Sequence, residues 1–144
     1  MKLDLKELLA KITGQAEFKT LLWRNTQGAQ SSYSFSANFS DYDEIEVQFE
    51  RAGCIHSMRM ATSGSANFVF PYEGYFVVRT ATISSGTMTF ANGAYYMSYN
   101  SGTLGYGSSY AQPYKVYGIR YVGGVVRKLL KALKPLTLGR GWAV

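Results

Sequence analysis

Residues 44–50 read EIEVQFE, with Ile45, Val47 and Phe49 alternating with Glu44, Glu46, Gln48 and Glu50. Successive side chains of a β-strand point to opposite faces, so this period of two demands a half-buried strand. A slip of one residue would bury the carboxylates, and the strand therefore fixes its own register. The same period recurs from Phe18 to Val122. It predicts strands over residues 19–24, 33–39, 44–50, 54–61, 67–70, 74–83, 87–91, 94–99 and 114–122. Turns are expected at 26–32, 41–43, 52–53, 63–66 and 84–86, and Asn92-Gly93 carries a strong hairpin signal. Short strands at regular spacing, with no helical pattern between them, exclude a parallel α/β sheet. The expected fold is all-β: an antiparallel β-sandwich, jelly-roll-like.

Both flanks change period. Leu5, Leu8, Leu9 and Ile12 fall at i, i+3, i+4 and i+7, which predicts an amphipathic helix stopped near Gly14. A helix of about three turns is marginal alone, so it must pack on the body or on copies of itself. After Gly123-Gly124, VVRKLLKALK aligns Val126, Leu129, Leu130 and Leu133 on one stripe, and Pro135 ends the segment. Arg127, Lys128, Lys131 and Lys134 lie off that stripe, with Trp142 beyond. The expected organisation is an N-terminal amphipathic helix in 1–14, a β-domain in 15–122 and a basic amphipathic tail in 123–144.

The formal net charge of +6 is unevenly placed. Residues 115–144 hold seven basic groups and no acid, whereas the first 114 residues sum to −1. Basicity confined to a tail disfavours a domain-wide nucleic-acid surface. The tail suits an anionic membrane, a partner groove or a neighbouring subunit. A single cysteine, Cys54, excludes an intrachain disulfide. The N-terminus MKLDLKELLAKI lacks an apolar signal core, which implies synthesis in a cytoplasm.

Catalytic patterns are weak. His56 is the single histidine and stands two residues from Cys54, too few ligands for a tetrahedral metal site. Glu44, Glu46 and Glu50 share the solvent face of their strand, which reads as a solvated row and not as a catalytic carboxylate pair. No nucleophile elbow, EF-type loop or phosphate-binding glycine loop occurs. The chain reads as a non-enzyme without metal or cofactor.

Eight of the twelve tyrosines fall between Gly93 and Val122, around a Gly/Ser/Tyr loop over residues 100–113. Tyrosine offers large contact area at low entropy cost, and glycine and serine offer adaptable hydrogen bonding. Tyrosine faces also stack on sugar rings. Tyr95, Tyr96, Tyr99, Tyr106 and Tyr110 are the candidate ligand-binding residues.

The N-terminal MKLDLKELLAKI, the turn and strand SDYDEIEVQF and the closing strand PYKVYGIRY together resemble small tail-fibre or receptor-binding proteins of phages that infect Gram-positive gut bacteria. The resemblance spans residues 1–122. It implies a β-sandwich head, commonly a homotrimer, that recognises cell-surface saccharide through aromatic and polar loops. It also implies a virion location and an N-terminal helix used for attachment or trimerisation. In that family the closing strand lies almost at the C-terminus. Here the basic residues 123–144 follow, which suggests an added membrane, assembly or partner role. Two alternatives stand beside this expectation. One is a structural virion assembly protein whose helices and aromatic surface make subunit contacts. The other is a membrane-active protein acting through its basic C-terminal helix.

Overall fold

The computed structural model describes residues 17–51, 53–72, 74–97 and 104–121. The two expected helices, in 1–14 and 123–144, lie outside the described residues. The chain divides into two compact units: Thr20–Ile119, and Met1–Lys19 with Arg120–Val144. In the second unit the described residues are few; Lys19 Nζ lies 3.9 Å from Glu17 Oε1. All further description concerns Thr20–Ile119.

Among the described residues ten strands form two sheets, mostly antiparallel. The four-stranded sheet has the order β1 (Glu17–Arg24), β10 (Pro113–Tyr121), β3 (Glu44–Arg51), β4 (Cys54–Met60). The six-stranded sheet contains β2 (Tyr33–Ser36), β5 (Gly64–Tyr72), β6 (Tyr75–Ser84), β7 (Thr87–Phe90), β8 (Ala94–Met97) and β9 (Leu104–Tyr106). The alternation in β3 works as its sequence requires: Ile45, Val47 and Phe49 are fully buried. They meet Phe68, Phe70, Val77, Ile83, Met88 and Phe90 of the six-stranded sheet in one core. Phe49 packs against Phe68 and Phe70 with ring centroids 5.2 and 5.6 Å away. Trp23 stacks flat on Phe35 at 5.2 Å, joining β1 to β2.

Tight turns set the hairpin registers. Ser84 pairs with Thr87 across Ser85 (φ 50) and Gly86 (φ 76). Positive φ at both central residues is the type I′ signature, whose twist matches the flanking strands.

Four local expectations are corrected. Strand β2 stops at Ser36, and the apolar Phe39 is buried from a 3-10 turn over Phe39–Asp41 instead of a continued strand. Residues 64–66 belong to β5 and pair with Ile83, Thr82 and Ala81, so no turn stands there. Glu46 is buried at 4% exposure, with Arg59 Nη2 3.4 Å from its Oε1, and Arg59 Nη1 lies 3.7 Å from Glu44 Oε2; these two carboxylates are paired, while Glu50 is exposed as expected.

The fourth concerns Asn92-Gly93, which makes no hairpin. β5 covers one edge of β6 along its whole length, so β7 and β8 must share the other edge. Ala81 pairs with Phe90 and Val78 with Ala94, so residues 91–93 face only residues 79 and 80. This extra residue is a β-bulge inside one long, interrupted strand. Gly93 is required there because a Cβ would collide with the carbonyl oxygens of Gly107 and Tyr110 passing over it.

Candidate ligand-binding face

The bulge lies opposite Arg79, whose side chain points into the core between Val77 and Ala81 and is fully buried. Among the described residues its hydrogen bonds run to backbone carbonyls and to no carboxylate. Its Nε donates to Ala111 O at 3.2 Å. Nη1 donates to Gln30 O at 3.2 Å and Ala91 O at 2.7 Å. Nη2 donates to Ser108 O at 2.9 Å and Tyr110 O at 3.2 Å. A guanidinium has five N–H donors in a fixed fork, and five backbone carbonyls use them all. Burial pushes the Arg79 pKa below its ordinary value, while the Tyr33 phenol opposes that shift. Arg79 thereby ties the residue-30 loop, the bulge and the 108–111 segment to one point. From the other sheet, Arg51 Nη1 donates to Ser109 O at 3.1 Å and lies 4.5 Å over the Tyr72 ring. Hydrogen bonding to Tyr72 is the main cause that raises the Arg51 pKa.

Strand alternation then divides the tyrosines. Tyr95 pairs with Gly105 on the inner face, and its ring lies over the glycine, where a Cβ would overlap it. Tyr110 covers Gly107 in the same way. Tyr95 and Tyr110 are half-buried, with centroids 4.7 Å apart, and Tyr75 packs on both rings. Gly105→Ala is expected to force the Tyr95 ring aside and destabilise the fold by about 1–3 kcal/mol, the usual range for overpacking. A urea midpoint equal to that of the parent protein would contradict this interlock.

Tyr96 and Tyr106 emerge on the opposite, outer face, 42% and 66% exposed. They border a groove of about 500 Å³ with Val69, Val78 and Ala94 as its apolar lining and Asn67, Thr80 and Asn92 as its polar groups. Thr80 Oγ1 donates to Asn67 Oδ1 at 2.6 Å, which fixes the amide and leaves its NH₂ as a donor. Phe76, 43% exposed, shares this outer face as the cross-strand partner of Tyr96. Of the expected ligand-binding set, the structure thus joins Tyr96 and Tyr106 on one groove and places Tyr95 and Tyr110 inward. Tyr99 lies outside the described residues, as do Arg127, Lys128, Lys131, Lys134 and Trp142.

The other reactive groups stand apart. His56 lies nearly parallel to the Phe70 ring at 4.5 Å, and Cys54 is exposed. Among the described residues no group of three metal-ligating side chains occurs.

Asn67 and Thr80 carried no individual motif, and Asn92 was marked only within the Asn92-Gly93 turn signal. Thr80 and Asn92 share one further signal, an absence: residues 80–114 contain no Asp, Glu, Lys, Arg or His. Comparison with protein-family models, curated proteins and solved structures gives no match.

Proposed function

We propose that this protein is a non-enzymatic saccharide-binding head of a phage tail fibre. It is made in the host cytoplasm and carried on the virion tail, and it engages host cell-surface glycan. The observation that supports binding is the outer groove, where Tyr96 and Tyr106 stand exposed beside the amide and hydroxyl groups of Asn67, Thr80 and Asn92. Aromatic faces take the apolar face of a sugar ring, and fixed polar groups read its hydroxyls. The phage setting rests on the resemblance of residues 1–122 described above. In this reading the two sheets form a jelly-roll-like sandwich, and the N-terminal amphipathic helix assembles a homotrimer. The basic tail contacts other virion proteins or an anionic membrane. Among the described residues that line the groove there is no carboxylate, imidazole or thiol.

The test is adsorption of the purified full chain to Gram-positive gut bacteria, with extracted wall polysaccharides as competitors. Saturable adsorption that a soluble polysaccharide competes away is expected. Adsorption to no strain, together with no retention of any polysaccharide, would overturn the proposal. An assembly protein would instead change oligomeric state on Tyr106→Ala, seen by sedimentation.

A further inference from the structure

We infer that the entire outer face of the six-stranded sheet, beyond the groove itself, is a platform for one extended, uncharged polysaccharide chain. The inference deepens the saccharide-binding reading and depends on it.

Charge is segregated between the two sheets. Within Thr20–Ile119 the four strands of the smaller sheet carry seven Asp, Glu, Lys and Arg residues. The six strands of the larger sheet carry one, Arg79, and it is buried facing inward. Soluble surfaces ordinarily intersperse charges of both signs, and the smaller sheet of this same domain does so.

In place of charges, the outer face carries ordered rows of hydroxyls. Ser65 pairs with Thr82, Thr82 with Thr89, and Thr89 with Ser34, so four hydroxyls line up across β5, β6, β7 and β2. Three strand spacings make that row about 14 Å long. Next to it along the strands, Ser84, Thr87 and Ser36 form a second row. On its other side stand Asn67 and Thr80, which belong to the groove. Hydroxyls and aromatics are therefore continuous on one surface.

Bonds between neighbours pre-orient the rows. Ser65 and Thr82 hydroxyls are 2.8 Å apart, and those of Ser36 and Thr87 are 3.4 Å apart. Each hydroxyl has one donor and two acceptor sites, so such a bond leaves capacity for a ligand. Without a cation among the described residues of the face, nothing described there favours phosphate- or carboxylate-bearing polymers. Serine and threonine rows also make a poor protein hot spot, since binding energy there concentrates in Trp, Tyr and Arg. A neutral polyhydroxylated chain matches both parts of the surface: sugar faces on Tyr96 and Tyr106, and hydroxyls along the rows.

The experiment compares the full chain with Thr82→Val/Thr89→Val and with Tyr106→Ala. The probes are purified mannan, galactan and dextran, short oligosaccharides cut from each, and anionic wall teichoic acid, at low and high salt. For the neutral polymer that binds, the double valine variant is expected to weaken polymer binding by ~5-fold or more, two lost hydrogen bonds at the usual net worth. Its affinity for the short oligosaccharide should stay unchanged, Tyr106→Ala should weaken both, and salt should have little effect. Thr89→Lys, a second exposed change in mid-row, should also reduce polymer binding.

Polymer binding untouched by both Thr variants but lost in Tyr106→Ala would overturn the platform and leave the groove reading standing. So would salt-sensitive binding of teichoic acid in preference to the neutral polymers. A concentration-dependent dimer abolished by Thr89→Lys would overturn it in favour of a second copy of the chain. Retention of no saccharide by the parent protein would remove the binding reading itself.

Discussion

Replacing Arg79 with methionine is expected to cost the protein on the order of 3–5 kcal/mol of folding stability, because several carbonyls lose a charged donor at once and each buried acceptor left unpaired costs about 1–3 kcal/mol before the structure relaxes. The parent side chain satisfies five backbone carbonyls at 2.7–3.2 Å from a fully buried position. Methionine fills similar volume but donates nothing, so those carbonyls lose their partners where the core gives water little access. The loss does not fall on one element. Gln30, Ala91, Ser108, Tyr110 and Ala111 lie in three separate segments, which would lose their common anchor together. Arg79→Lys keeps the charge but has only three donors on a compact head, so it should recover part of the stability. The order expected from urea midpoints is parent, then Lys, then Met. Equal midpoints for the parent and the Met variant would show that the carbonyls find other partners and that Arg79 is no anchor.

This arginine also shows where the sequence is silent. In the alternation of β6, YFVVRTATIS, position 79 is an inward position, and a charged residue there reads as a break in the pattern. The carbonyls that accept its protons come from backbone far along the chain, and backbone carbonyls leave no trace in residue identity. The strands themselves were legible wherever side-chain period carried the information, as in β3 and most of β6. Asn92-Gly93 misled because the same dipeptide serves two needs. A hairpin needs glycine for positive φ, whereas this bulge needs it for the absence of a Cβ beneath the carbonyls of Gly107 and Tyr110. At the site, composition marked the Tyr/Gly/Ser stretch. It could not say which tyrosines face outward, because that depends on strand β9, too short and too rich in glycine to show a period. The uncharged stretch was visible throughout. It gained meaning only when pairing placed β2, distant in sequence, on the same face as the β5–β6 hairpin.

The division of tyrosines yields the second large effect, a separation of stability from binding. Tyr95 and Tyr110 pack on each other and on Tyr75 over glycines, against the core. Tyr95→Ala and Tyr110→Ala should each lose about 2–4 kcal/mol of stability, somewhat below full-core aromatic truncations because both rings are half-buried. Tyr96 and Tyr106 stand 42% and 66% exposed. Their alanine variants should stay within about 0.5 kcal/mol of the parent in stability, as exposed changes do. In binding, each should lose about 1–2 kcal/mol, or roughly 5–30-fold in Kd, the share an exposed aromatic anchor supplies. Urea midpoints and polysaccharide affinity measured on the same four variants settle the matter. Loss of affinity confined to Tyr95→Ala and Tyr110→Ala at parental stability would move the site to the inner cluster. A Tyr106→Ala variant that binds as the parent does would take the ligand off this face, since no large apolar side chain bordering the groove is more exposed.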